Sequence, residues 1–373
     1  MRRRLILLTL LAGTLSGCRE DFILPDTQAD ASVLVVEGDI VVGGGVENLI
    51  RLTRLRNLYQ PNENPVAGAR VDILAGNGTT WPLTERSPGN YASNAILPAN
   101  QHYTLRITAD GKTYETPSQT PVITPAIDSV TWSQDASNIR IFVHTRDATN
   151  QTRQYRWKHI ETWESRAWYE TYFDFVNGSI VTRPVGDQIY TCWKNASSAA
   201  ILIGNSRSLD KDVISYQPIA AIAKPSEKVY VRYSILVQQM GITQEAFDFW
   251  DILRKNTELT GTLFDPQPSN LPTNIRCTND PKAKVIGYVS VGTITEKRLF
   301  ILHSALDGWP NRNQALSCDA FEFSKTQAEN FLRNNPSYLP AYFITAGGGF
   351  GVAPKGCVDC RLMGGSNLKP LFW

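Results

Sequence analysis

From Val33 onward, apolar and polar residues alternate in short runs broken by turn residues. Val33-Leu34-Val35-Val36-Glu37-Gly38 is a β-branched run, and residues 48–55 alternate more weakly. Residues 65–69 read as a turn leading into alternation at Val71 and Ile73. Tyr103-Thr104-Leu105-Arg106-Ile107 alternates until Asp110-Gly111 closes it, and Asn77-Gly78 and Gly89-Asn90 supply further turns. A period of two, broken at this spacing, predicts a β-sandwich over residues 32–120. Pro117, Pro121 and Pro125 follow. None can donate to a ladder, so they predict an extended linker between domains.

Beyond the linker, residues 127–132, 139–143 and 154–159 predict the opening strands of a second, fibronectin-like sandwich, with Tyr155 and Trp157 on one face. Further strands are predicted at 201–203, 228–238, 285–295 and 298–304. One helix starts at Thr243, a good N-cap, and carries Ala246, Phe247, Trp250 and Leu253 at helical spacing. A second covers residues 325–333 and stops before Asn335-Pro336. Residues 346–373 are glycine-rich without a period and read as a packed loop. The fold class is therefore mainly β: an N-terminal immunoglobulin-like β-sandwich, then a larger fibronectin-like β domain over 126–373 with helical insertions. The first sandwich resembles small modules of bacterial surface proteins, and its Val66-x-Gly68-Ala69-x-Val71 turn resembles that of carboxypeptidase regulatory-like domains.

The first seventeen residues stand apart. Arg2, Arg3 and Arg4 precede an apolar stretch over 5–15, too short to span a bilayer. Leu15-Ser16-Gly17-Cys18 resembles the bacterial lipobox, which implies a signal peptide over 1–17, a diacylglycerol on Cys18 and a tether over 18–31. An ordinary signal peptide ending near a cysteine is the alternative. Cleavage before Cys18 removes three of the 37 basic residues, leaving 34 against 35 acidic ones. No basic footprint for nucleic acid remains. Arg19-Glu20-Asp21 resembles the short acidic signal that sends Bacteroidetes lipoproteins to the outer face of the outer membrane; a solvated tether is the alternative. The expected place is the outer membrane, held through the lipid and facing the exterior.

Enzymatic motifs are thin. His102, His144, His159 and His303 form no H-E-x-x-H pair and stand far from a cysteine pair, so zinc has no local starting point. There is no G-x-S-x-G elbow, and the Gly347 to Gly351 run lacks a P-loop lysine. No cofactor, metal or catalytic activity is expected. Besides Cys18, the chain has Cys192, Cys277, Cys318, Cys357 and Cys360. Export favours disulfides, with one cysteine left over. Cys192 with Cys277 is the first pairing, stapling the helix-bearing insertion, and Cys357 or Cys360 then meets Cys318. A redox or metal role for Cys357-x-x-Cys360 stays open. Trp163, Trp168, Tyr169 and Tyr172 lie in an aromatic-rich stretch and are candidates for a binding surface, with core packing as the alternative.

Several motifs together resemble domain-of-unknown-function family 4249. They are Trp250-x-x-Leu253, residues 261–269 (Gly-Thr-Leu-Phe-Asp-Pro-Gln-Pro-Ser), Asn274-Ile275, Gly287-Tyr288, Lys297-Arg298, Cys357-Val358-Asp359-Cys360-Arg361, Gly364-Gly365, Lys369-Pro370 and Phe372-Trp373. The resemblance implies a Bacteroidetes lipoprotein of the kind often encoded beside a TonB-dependent receptor, with no assigned catalytic residue. It points to a cell-surface binding accessory of such a receptor in nutrient uptake. A structural or adhesion lipoprotein is the alternative, and an enzyme with dispersed residues the third reading. Asp128-Ser129-Val130 also resembles the short O-glycosylation sequon of Bacteroidetes; a plain strand start is the alternative.

Overall fold

A computed structural model describes residues 32–55, 64–258, 271–311 and 318–373. Cys18, the acids behind it and the 261–269 motif lie outside the described residues. The first block contains β1 (Leu34–Gly38), β2 (Ile40–Val41), β3 (Asn48–Arg54), β4 (Arg70–Ala75), β5 (Thr80–Ser87), β6 (Asn90–Ser93), β7 (Tyr103–Ala109) and β8 (Lys112–Glu115). The second holds β9 (Ile127–Gln134), β10 (Asn138–Asp147), β11 (Gln154–Arg166), β12 (Phe173–Val176), β13 (Ser179–Thr182), β14 (Thr191–Ser197), β15 (Leu202–Asn205), β16 (Asp212–Ala223) and β17 (Arg232–Gly241). Helix α1 (Gln244–Glu258), β18 (Arg276–Cys277), β19 (Val285–Ile286), β20 (Val291–Gly292) and β21 (Ile294–Leu302) follow. The C-terminal block has β22 (Phe321–Ser324), α2 (Lys325–Asn334), β23 (Tyr338–Ile344), β24 (Gly349–Pro354) and α3 (Lys355–Val358).

The first sandwich follows from its alternation. In β7, Tyr103, Leu105, Ile107 and Ala109 are buried while Arg106 faces out to Glu115. Strand β5 serves both layers: its first half pairs with β4 and its second half with β6. The Asp110-Gly111 turn has positive φ at both residues, as a tight type I′ hairpin requires. The Tyr91 hydroxyl donates to the Val66 carbonyl and accepts from the Ala69 amide, which pins the turn before β4.

Chain order does not divide the molecule cleanly at the proline linker. The full strand order of the first unit is β18-β8-β7-β4-β5-β6-β3-β1-β19, so both outer strands come from residues beyond 270. Ile275, Cys277, Val289 and Val291 sit in its core, and β20 pairs in parallel with β2. The long insertion between β17 and β21 therefore returns to the first sandwich.

The second sandwich packs β9-β10-β16 against β14-β11-β17-β21, with β15 also on β11. This is an eight-strand arrangement, three against five, of the immunoglobulin and fibronectin class. Ile139, Ile141 and Val143 from one sheet meet Tyr155, Trp157, Ile235 and Val237 from the other. Helix α1 begins where the Thr243 hydroxyl accepts from the Ala246 amide, and Ala246, Phe247 and Trp250 pack beside Met240 and Ile294. Helix α2 has the full capping box of Ser324 and Gln327 and buries Ala328 and Leu332.

The tail is more ordered than its composition implies. Instead of a loop, β24 is the central strand of the sheet β22-β24-β23. Its glycines are places of close approach: a Cβ on Gly351 would lie 2.3 Å from the Tyr342 ring, and one on Gly349 2.4 Å from the Phe323 carbonyl. The β12–β13 hairpin leaves the second sandwich between β11 and β14. Its Ile180, Phe173 and Phe175 complete a core with Leu332, Phe350 and Val352.

Candidate binding site

The cysteines pair as Cys192–Cys360 and Cys318–Cys357, while Cys277 is free and buried. This corrects the expected Cys192–Cys277 staple. Cys277 travels with the insertion to the first sandwich, beside Tyr114 of β8, whereas Cys192 stays on β14 of the second. Cys357-x-x-Cys360 is thus no local dithiol, since each member is bonded elsewhere. One crosslink closes the C-terminal unit, and the other ties that unit to the sandwich.

The four aromatic candidates do not share one surface. Trp163 is 7% exposed in the second core, with the Lys228 ammonium 5.4 Å from its ring, which corrects the surface reading for this residue. Tyr169 is half-buried, stacks near Tyr342 and donates to the Cys318 carbonyl at 2.6 Å. Tyr172 is exposed and donates to Glu170. Trp168 lines a cleft.

That cleft, of about 640 Å³, opens at one pole of the second sandwich. The end of β11, the start of β14, the start of β17 and the end of β21 converge there because their ladders are antiparallel and in register. Ser165, Arg166 and Trp168 come from the first of these, Tyr190 and Tyr230 from the segments before β14 and β17, and His303 from the segment after β21. The back wall is rigid. Ala167 and Tyr190 pack with Met363 around the Cys192–Cys360 sulfurs. The Ala167 amide donates to the Tyr190 carbonyl, the Cys360 amide to that of Ile189, and the Trp168 amide to that of Cys357.

The charges at this pole are engaged. Arg166 is 2.7 Å from Glu164 and lies over the Tyr190 ring, and Glu227 binds Lys194 at 2.9 Å. The His303 ring nitrogen Nδ1 lies 3.0 Å from the Val229 carbonyl. A carbonyl only accepts, so Nδ1 carries a proton, and Nε2 is the ring nitrogen left for another partner. Sequence reasoning missed Tyr190, Tyr230 and His303. Their convergence depends on sheet register, and no local spacing signals it.

A second cleft of about 330 Å³ separates the two sandwiches. At its base Arg156 forms a buried ion pair with Asp39 and stacks over Trp250, 4.5 Å from the ring centroid. Burial works against ionisation of Asp39, but the Arg156 and Lys158 charges outweigh it and hold its carboxyl below the usual range. This pair joins β11 to the first unit.

Within the second sandwich, Glu161 accepts from Tyr233 at 2.7 Å and from Lys228 at 2.6 Å. Burial, then the nearby Glu161 charge, pushes the Tyr233 hydroxyl up. His159 is buried with Nδ1 unpartnered, and burial depresses its pKa. Asp212 accepts from Tyr155, Ser206 and the Asp147 amide, while Asp147 caps the amides of Thr149, Gln151 and Thr152. These carboxylates organise loops. The four histidines are dispersed, and no group of three or more His, Cys, Asp or Glu among the described residues is placed to hold a metal. No helix among them is long and apolar enough to cross a membrane.

Fold and site together define a multi-unit β-sandwich protein with a disulfide-braced cleft. The sequence matches the profile of the domain of unknown function DUF4249 over residues 20–298, and the chain belongs to that family. Comparison with curated proteins finds no match. Among solved structures, a two-domain fibronectin type III segment of chicken tenascin is similar at 9% identity, with 55% of this chain and 89% of that one covered and a TM-score of 0.16. A proposed carbohydrate-binding protein from Bacteroides uniformis is similar at 11% identity, covering 57% of this chain and 91% of its own, also with a TM-score of 0.16.

Proposed function

We propose that the protein is a lipoprotein of the outer membrane, anchored through Cys18 and facing the exterior, that serves as a binding accessory to a TonB-dependent receptor in nutrient uptake. The pole cleft carries this reading: a concave, crosslinked site on a body that the Leu15-Ser16-Gly17-Cys18 sequence ties to lipid. From Cys18 to Leu34 the chain reaches at most roughly 55 Å, so the body stays near the membrane. Such tethering raises effective concentration to about the millimolar range, and modest intrinsic affinity is then enough. Family membership supports the receptor as partner through the genomic association that the resemblance implies.

A structural or adhesive role is the second reading. The β12–β13 region favours it, because Tyr172, Val176, Val181 and Val185 are all exposed there.

The test is affinity purification of the tagged protein from detergent-solubilised outer membrane, followed by mass spectrometry, with Cys18→Ala as control. The expected result is recovery of a TonB-dependent receptor and release of the variant from the membrane fraction. A wild-type eluate without a receptor overturns the transport reading in favour of the structural one. Retention of Cys18→Ala in washed membranes overturns the anchor.

A further inference from the structure

We propose that the pole cleft binds a neutral sugar, one or two rings of a glycan. This rests on the binding reading above and gives it a ligand class. A volume of about 640 Å³ falls within the roughly 300–1,000 Å³ of small-molecule sites. The groups left unengaged decide the class. Arg166 and Glu227 each already have a charged partner, so neither leaves an unpaired charge for an ionic ligand to neutralise among the described residues of the lining. The Tyr190 and Tyr230 hydroxyls, the Ser165 hydroxyl and His303 Nε2 have no hydrogen-bond partner among the described residues. The three hydroxyls are neutral and can both donate and accept.

A sugar presents the matching pattern: hydroxyls that donate and accept around its rim, and a face of C–H groups that packs on an aromatic ring. Trp168, Tyr190 and Tyr230 supply the rings. An acyl chain would leave the polar groups unpaired, at a cost for each buried one. The brace between Cys192 and Cys360 holds Tyr190 in place before the ligand arrives, which lowers the ordering cost of binding.

The experiment uses the mature lipoprotein in a detergent without a sugar headgroup. Cellobiose, maltose, lactose and N,N′-diacetylchitobiose are titrated by calorimetry and saturation-transfer NMR, with digalacturonate as the anionic counterpart. The expected result is binding of at least one neutral disaccharide in preference to digalacturonate. Tyr190→Ala/Tyr230→Ala should weaken it by about tenfold or more. Tyr230→Phe, which keeps the ring and removes the hydroxyl, should weaken it by a smaller factor. If the double variant loses its native circular dichroism, Tyr230→Phe carries the test.

No binding by any of the four at millimolar concentration overturns the proposal, as does preference for digalacturonate or affinity unchanged in the folded variants. Receptor capture by a protein that binds none of these sugars refutes the sugar site and leaves the accessory reading standing. Sugar binding without receptor capture does the reverse.

Discussion

Removing the Cys192–Cys360 crosslink should cost more stability than removing Cys318–Cys357. The two bonds join residues 168 and 39 positions apart. In the chain-entropy picture, closing such loops in the unfolded state stabilises the fold by about 5 and about 4 kcal/mol respectively. The shorter loop is nested within the longer one, and deducting its residues barely changes the larger figure because the dependence is logarithmic. The assay compares Cys192→Ala/Cys360→Ala with Cys318→Ala/Cys357→Ala by urea denaturation, after non-reducing peptide mapping of the parent. Mapping should recover the two linked peptide pairs, with Cys277 as a free thiol. The longer crosslink also braces the cleft wall at Ala167, Tyr190 and Met363, so its loss should loosen that pole first, read as faster amide exchange there. A Cys192–Cys277 peptide, or a loss below about 1 kcal/mol for the first variant, would refute the reasoning.

Deleting residues 369–373 should lower stability by about 2 kcal/mol, read as a lower Tm. Trp373 packs on Trp193 and Phe300, Arg232 lies between Phe300 and Trp373, and Arg298 sits 3.5 Å over Phe372; an unchanged Tm would show that this strap adds nothing. Arg156→Ala leaves the buried Asp39 carboxylate with only the Lys158 ammonium, 3.8 Å away, and should cost about 3 kcal/mol, checked by denaturation, with Asp39→Asn/Arg156→Met recovering part of the loss. His159 has a folded pKa below its ordinary 6.5 through burial, with Glu161 pulling it up and Lys228 down. The unfolded chain then takes up the proton first, so stability should fall as pH drops below about 6.5 and level off below the folded pKa. A series of Tm values against pH should be flatter in His159→Leu, and parallel curves would contradict the assignment.

The legible part of this fold is the part set by local pattern. Inward Ile139, Ile141 and Val143, the Thr243 helix start and the helix beginning at residue 325 are written in adjacent residues and appear where the pattern places them. Strand β18 is two residues long and carries too little alternation to read, and the single strand expected over 285–295 is instead the two-residue β19 and β20 followed by the start of β21. The two-residue strands exist because the first sandwich has open edges for them to pair with. Strand β24 was masked by Gly349 and Gly351, whose missing side chains make room for Phe323 and Tyr342. The Cys318–Cys357 bond is one of the two pairings the sequence left open for Cys318, whereas Cys192–Cys360 was illegible because it forms only where the C-terminal unit docks on the sandwich; Tyr190, Tyr230 and His303 were illegible because sheet register alone brings them together. Trp163 and Trp168 looked alike in sequence, but Trp163 lies within β11 facing the core while Trp168 lies beyond the end of that strand, at the cleft.

The late strands of the first sandwich set an order on biosynthesis. Its own strands end at Glu115, but its two edges stay open until residues 276 and 285 arrive. A chain emerging from its N-terminus cannot finish its first unit until most of the second has been made. Open sheet edges are places where strands from other molecules add, so the partial chain is exposed to mispairing throughout that interval. It is also kept from premature closure, which would suit the export proposed above. Cutting the protein at the proline linker would yield not a smaller stable module but a sheet with both borders unpaired.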